Sequence, residues 1–341
     1  MAPRSTTRPA VPTLATVAAA AGVSPATASR VINGSARVSD GHRAAVEAAV
    51  ARLGYVPNRA ARSLATRRTG ALALVVREPV SFGVSDPYLS TCVIAASQAL
   101  VGTGSHLVVM VGRDEEEAAA VGDFVRSGHV DGVLLLSVHR GDPLPAQLQA
   151  VGVPLVLGGR PPDPLPGAAY VDVDNLGGGA SAARHLLERG RRVVAALAGP
   201  ADMPAAADRL RGFRTALREE GRDTGLVAYA PFTRAGGERA VRELLEAEPA
   251  IDAVFAGSDV MAAGALRALA DAGRRVPDDV AVVGFDDVEL ARYTAPALTT
   301  VRQPTGEQVR LLVEALLAQV EGRATAEPVV LPTELVVRSS S

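Results

Sequence analysis

The chain has 341 residues, more than a single hydrophobic core usually serves, so at least two folding units are expected. With 48% hydrophobic and 21% charged residues and no unbroken apolar run long enough to span a bilayer, its composition is that of a soluble globular protein and excludes a membrane-embedded class. The formal net charge of −2 hides an asymmetry: residues 1–69 hold ten arginines against Asp40 and Glu47, a formal +8, so the remainder carries −10.

A basic head on an acidic body favours a polyanionic partner, and double-stranded DNA is the commonest one. Every basic residue is arginine, which reflects base composition of the coding sequence more than chemistry, so single Arg-for-Lys choices carry little weight. Residues 1–12 carry Arg and Pro without the apolar core of a secretory signal and read as a disordered tail on a cytoplasmic protein. The single cysteine, Cys92, lies in the apolar context VIAAS and is expected to be a buried thiol.

Residues 13–56 predict three short helices. Thr13 is placed to cap the first, with Leu14, Val17, Ala18 and Ala21 on one face and Gly22 at the turn. Ser24 caps the second and Pro25 takes its first position, where a missing N–H costs nothing. Ser39 precedes the third, with Val46, Val50 and Leu53 inward and Gly54 at its end. Two helices on a tight turn braced by a third form a helix-turn-helix. In the second helix Ala28, Val31 and Ile32 must face the core, which leaves Ala26, Ser29, Arg30 and Asn33 outward. Such a face is small enough to approach a groove floor, and its arginine matches guanine O6 and N7. An ordinary solvated helix would carry Glu, Lys or Gln there.

From residue 70 the pattern changes to nine apolar runs, from ALALVV at 71–76 to VAVVGFDD at 280–287, most of them separated by helical stretches. That alternation predicts α/β layers with parallel strands, in one sheet or two. A coda of TTVRQP, a helix over about 305–320 and PVVLPTELVVR can return to an earlier sheet. Two lobes sharing crossover strands would place a cleft between strand carboxyl ends. The lobes are drawn at about 70–172 with 302–325, and 173–301 with 326–341.

The stretch from Thr13 to Leu64, followed in order by SDPY, VDGVLLLS, VDVDNLGGGASAARHLLERG, DRLRGF, FAGSDVMAAGALRAL, VAVVGFDD and LTTVRQP, closely resembles the LacI family of bacterial transcriptional regulators over nearly the whole chain. The resemblance implies a homodimer, or a tetramer of paired dimers, whose helix-turn-helix heads bind a near-palindromic operator. It also implies a two-lobed, periplasmic-binding-protein-like body, type I, that senses a small molecule, often a sugar or related polyol. Repression is the expected mode; activation, or corepression by a non-sugar effector, is the alternative.

By that resemblance Pro25, Ala26 and Arg30 meet base edges, and Ser24, Thr27, Ser29 and Asn33 lie near phosphates or bases. Residues 57–69 become a hinge helix and linker, in which Asn58, Arg59 and Ala61 contact DNA and Leu64 is a minor-groove wedge. A helix of about nine residues is too short to hold alone in water and folds when a partner and DNA are present. The effector contacts implied are Tyr88, Arg209, Phe232, Ser258, Asp259 and Asp286, a set that suits vicinal hydroxyls and a ring face. Read singly, Asp259 and Asp286 also suit helix caps and Phe232 a core position. The stretch REPVSFGVSDPY leaves Phe82 and Asp86 unassigned.

An enzyme is the first rival. The five histidines lack metal-ligand spacing, G-x-S-x-G is absent, and the glycines at 177–179 lack the Lys and Ser/Thr of a phosphate loop. Neither catalysis nor a cofactor or metal is therefore expected. A periplasmic solute-binding protein would share the body but not the basic head, and a nonspecific nucleoid protein would show no ligand response.

Overall fold

The computed structural model describes residues 12–32, 38–55, 68–78, 86–112, 114–223, 225–323 and 327–341. The expectations for Asn33, Asn58, Arg59, Ala61, Leu64 and Phe82, and for the hinge helix, fall outside those residues. The chain divides into two compact units, Met1–Thr69 and Gly70–Ser341.

In the first unit, α1 (Leu14–Ala21) begins with a reciprocal cap. Thr13 Oγ1 accepts from Thr16 N at 3.3 Å, and Thr16 Oγ1 accepts from Thr13 N at 2.8 Å. Gly22 ends the helix at φ 66°, a left-handed conformation that glycine adopts without a Cβ penalty. α2 (Pro25–Ile32) follows, with Ser24 Oγ accepting from Thr27 N at 3.1 Å. α3 (Asp40–Leu53) starts after Ser39, whose hydroxyl meets His42 Nδ1 at 3.1 Å and makes no backbone cap. The core is small: Val17 and Ala18 from α1, Ala28 and Val31 from α2, Val46 and Ala49 from α3. Val50 and Leu53, expected inward, are only half-buried and pack at its margin.

The second unit holds two six-stranded sheets, ordered β11-β5-β4-β3-β1-β2 and β12-β10-β9-β8-β6-β7. β1 (Ala71–Val76), α4 (Pro87–Ala99), β2 (His106–Val111), α5 (Glu115–Arg126), β3 (Gly132–Leu136), α6 (Leu144–Ala150), β4 (Leu155–Gly158) and β5 (Ala169–Val173) build the first lobe. α7 (Asn175–Glu188), β6 (Val194–Ala198), α8 (Pro204–Glu219), β7 (Val227–Tyr229), α9 (Arg234–Ala247), β8 (Ala253–Ala256), α10 (Asp259–Asp271), β9 (Ala281–Asp286), α11 (Leu290–Tyr293) and β10 (Thr299–Arg302) build the second. The chain returns to the first lobe in α12 (Thr305–Val320) and β11 (Val329–Leu331), then ends in the second with β12 (Glu334–Val336). Among the described residues every pairing is parallel except β10 with β12.

The strand cores are rich in Val, Leu and Ala because helices cover both faces of each sheet. One boundary differs from expectation: residues 329–331 pair with β5 through Val329 and Val171, so they belong to the first sheet. The last crossing therefore lies at Pro332 and Thr333, after 326. There Thr333 Oγ1 donates to Asp174 O at 3.2 Å and Asp174 N donates to Leu331 O at 2.8 Å, tying this crossing to the one after β5.

In each sheet the strand order reverses beside the first strand of the lobe, between β1 and β3 and between β6 and β8. Ligands of open α/β sheets lie at such reversals, beyond the strand carboxyl ends. The glycines at 177–179 serve close packing here: a Cβ on Gly179 would meet Arg209 O at 2.0 Å, so α7 and α8 lie backbone to backbone, while Gly177 leaves room for the Asp174 cap and Gly178 for the Phe285 ring. No helix among the described residues is long and apolar enough to cross a membrane.

Candidate functional site

Two surfaces hold the residues singled out from the sequence. On α2, Ala28 and Val31 are buried and Ile32 half-buried, so the helix turns Pro25, Ala26 and Arg30 to solvent with Ser29 beside them. The Ser24 and Thr27 hydroxyls lie 2.9 Å apart at the start of α2, where N–H groups and the helix dipole favour a phosphate. Arg30 is in the last turn, and that turn and the first hold no carboxylate.

In the second unit a cleft of about 860 Å³, including space open to solvent, lies at the strand ends of both sheets. Its floor is a chain of hydrogen bonds. Asp172 Oδ1, on β5, accepts from Asn175 Nδ2 at 3.0 Å, and Asn175 Oδ1 accepts from Arg209 Nε at 2.8 Å. Arg209 Nη1 donates to Gly257 O at 2.6 Å and to Asp286 Oδ1 at 3.3 Å, and Gln303 Nε2 donates to the same Asp286 oxygen at 2.5 Å. Arg209 comes from α8 and is held flat, its guanidinium carbon 3.8 Å from the centre of the Phe285 ring and 5.8 Å from that of Phe232. Phe232 in turn lies over Gly199, where a Cβ would come 2.2 Å from the ring.

The electrostatics follow from burial among carboxylates. Arg209, Asn175, Asp286 and Asp172 are all buried. Desolvation pushes the Asp286 carboxyl up to about 6 even though Arg209 and Gln303 favour its charged form. Asp86, the N-cap of α4, is pushed up to about 7, mainly by burial and then by Asp286. Burial raises Asp172 and the Tyr88 phenol as well, and the Cys92 thiol to about 12. Cys92 is thus the inert buried thiol its context suggests. Backbone strain gathers at the same place: Ser137, Asp286 and Asp287 have φ of 57°, 116° and 53°.

Of the expected effector residues, Tyr88, Arg209, Phe232, Ser258 and Asp286 line this cleft. Ser258 does so while capping α10, its Oγ accepting from Met261 N at 3.2 Å. Asp259 is a correction. It is fully buried, and both carboxylate oxygens are taken, one by the Thr300 hydroxyl and the other by Val288 N at 2.9 Å. It fastens α10 to the loop after β9 and does not reach the cleft. Asp86, left unassigned, faces the cleft, as do Glu78, Asp172, Asn175, Gln303 and Gln308, which sequence reasoning did not select. The signal for Asp172 was available in VDVD, where a charged residue breaks a buried apolar strand. Gln308 falls on the inward stripe Thr305, Gln308, Val309, Leu312, Leu316 of α12.

Contacts between the lobes rim the cleft. His139 lies 2.9 Å from Asp202 Oδ2 and 3.4 Å from Glu78 Oε1, which lift its pKa above the usual histidine value. Arg160 Nη2 meets Asp208 Oδ2 at 2.8 Å.

A family profile described as "Bacterial regulatory proteins, lacI family" matches residues 13–58, and one described as "Periplasmic binding protein-like domain" matches residues 183–341. The "HTH-type transcriptional regulator CelR" of Thermobifida fusca is 49% identical over 96% of this chain and 98% of its own length. The "Ribose operon repressor" of Halalkalibacterium halodurans is 33% identical over 96% and 97%. Among solved structures, a "transcriptional regulator CelR-cellobiose complex" matches with a TM-score of 0.78 and 46% identity, covering 97% of this chain and all of that one. The lac repressor dimer bound to operator and the anti-inducer ONPF matches with a TM-score of 0.85 and 28% identity, covering 97% and 99%.

Proposed function

The chain belongs to the LacI family of bacterial regulatory proteins, and on that premise we propose that it is an operator-binding repressor released by a neutral sugar of the cellobiose type. The observation that carries the effector reading is the buried Arg209–Asp286 pair, set beside the Phe232 ring in a cleft that also holds Glu78, Asp86 and Asp172. A guanidinium and a carboxylate side by side match the acceptor and donor of vicinal hydroxyls. The surplus of carboxylates opposes phosphorylated or acidic sugars.

In this reading the heads supply salt-dependent affinity, and Arg30 with Pro25 and Ala26 reads base edges while Ser24, Thr27, Ser29 and Asn33 engage phosphates or bases. Residues 57–69 act as a hinge that folds on DNA in a homodimer, with Asn58, Arg59 and Ala61 against the duplex and Leu64 as the wedge. Sugar changes lobe closure and thereby the ability of the hinges to fold. In this reading the cleft binds the sugar and releases it unchanged, and Ser258 Oγ serves as a helix cap.

The test is calorimetric titration of the full chain with cellobiose, glucose, ribose and glucose 6-phosphate. It is paired with mobility shift of a duplex selected from a random pool. Cellobiose should bind, lower affinity for the selected duplex and be recovered unchanged; glucose 6-phosphate should not bind. A chain that prefers the phosphorylated sugar, or whose DNA affinity ignores every sugar, would contradict the effector reading.

A further inference from the structure

Gln308 stands in the first turn of α12, just past the crossing at Gln303 and Pro304, and is 3% exposed. Its Nε2 donates to Val171 O at 3.0 Å. A carbonyl oxygen can only accept, so the NH2 end of the amide must face it and Oε1 must turn the other way. Gln308 lines the cleft, and among the described residues its buried Oε1 meets no donor.

Buried acceptors without partners are rare and call for a reason. Support of Val171 is a poor one, because Val171 O already accepts from Gly159 N at 2.9 Å. The neighbouring acceptor, Asp172, is served by Arg160 N at 3.0 Å, Val173 N at 2.8 Å and Asn175 Nδ2 at 3.0 Å. Among the described residues, Gln308 Oε1 is thus a neutral acceptor on a cleft-lining residue whose direction is fixed by the Nε2 bond and which meets no donor. An anionic oxygen cannot supply one; a hydroxyl can.

We propose that Gln308 is a specificity-determining residue of the effector site, its Oε1 accepting a hydrogen bond from one hydroxyl of the bound sugar. The assignment rests on the sugar reading above and deepens it. Arg209 and Asp286 engage the ligand from the second lobe, and Gln308 reads it from the first. A sugar lacking the hydroxyl in question leaves the acceptor orphaned in a closed cleft and is rejected.

The experiment uses the full chain and its Gln308→Met variant, titrated with cellobiose and each of its monodeoxy analogues, together with thermal unfolding without sugar. Cellobiose should bind the variant about 5- to 100-fold more weakly. One monodeoxy analogue should bind both proteins equally, and the others should lose the same factor as cellobiose. Without sugar the variant should melt within a few degrees of the parent, because it gives up the Nε2 bond to Val171 O but also a buried oxygen with no partner. Unchanged cellobiose affinity overturns the assignment, and so does an equal loss across every analogue. A parent chain that binds no neutral sugar refutes the sugar reading and this assignment with it, whereas cellobiose binding that Gln308→Met leaves unchanged refutes the assignment alone.

Discussion

Replacing Asp86 with Asn should stabilise the protein at neutral pH and leave it unchanged in acid. Asp86 is 9% exposed, and its Oδ1 accepts from Tyr88 N at 2.9 Å at the start of α4, a bond that an Asn oxygen retains. Burial, with Asp286 and Glu78 adding repulsion, pushes its carboxyl from 3.8 up to about 7. A group whose folded pKa lies above its unfolded one binds more protons in the native state, so stability falls as pH rises between the two values. The shift of roughly three units sets a ceiling of about 4 kcal/mol at about 1.4 kcal/mol per unit. Water in the cleft relaxes part of that, and we expect about 1–3 kcal/mol. At about 2 °C per kcal/mol for a unit of this size, Asp86→Asn should raise the body's Tm by about 2–6 °C at pH 8, with the difference vanishing towards pH 4. Scanning calorimetry of parent and variant from pH 4 to pH 8 reads it. An offset that does not change with pH, or a variant less stable at pH 8, would refute the reasoning.

Arg30→Ala should cost about 1–3 kcal/mol on the selected duplex and little on random DNA, erasing most of the sequence preference in mobility shifts; equal losses on both would remove its base-reading role. Arg209→Met leaves Asp286 buried without its guanidinium, so it should lose about 3–5 kcal/mol of stability and all measurable cellobiose binding, and normal calorimetric binding would contradict the site. His139 joins Glu78 of one lobe to Asp202 of the other, and its pKa is raised above 6.5. Its contribution to the closed cleft is therefore complete below about pH 6.5 and lost as pH rises through the raised value. Cellobiose affinity should weaken from pH 6 to 8.5, and His139→Gln should flatten that profile; a variant with the parent's slope would exclude the histidine.

Local periodicity made much of this legible. The stripe Ala28, Val31, Ile32 fixed the outward face of α2, and unbroken runs such as ALALVV and DGVLLLS marked strands covered on both faces. The partition between sheets was not legible, because it rests on pairings far apart in sequence. Val329 beside Val171 and Val336 beside Thr300 are decided by packing, and two short apolar runs separated by Pro332 and Thr333 carry no sign that they end in different lobes. The cleft shows the same limit at single residues. Ser258 and Asp259 follow one strand and open one helix, yet the first faces the cleft and the second turns to Thr300 and Val288. A carboxylate after a strand is a good candidate ligand, but which way it turns is set by neighbours that sequence distance conceals.

The floor of the cleft ties recognition to closure. The chain Asp172, Asn175, Arg209, Asp286, Gln303 runs over two of the three crossings between lobes, after β5 and after β10. A ligand that takes a hydrogen bond from Arg209 or gives one to Asp286 competes with bonds that hold those crossings, and Asp286, at φ 116°, already stores strain there. The ion pairs of His139 with Asp202 and of Arg160 with Asp208 lie at the rim, where they persist only when the lobes are close. A sugar satisfying Arg209 and Asp286 but lacking the hydroxyl for Gln308 would therefore occupy the second lobe without gaining the first. Occupancy alone moves no equilibrium; only the difference in affinity between open and closed states does. Such an analogue should bind weakly and fail to change DNA affinity even at saturation, whereas one that merely bound weakly would release DNA fully once its concentration was raised.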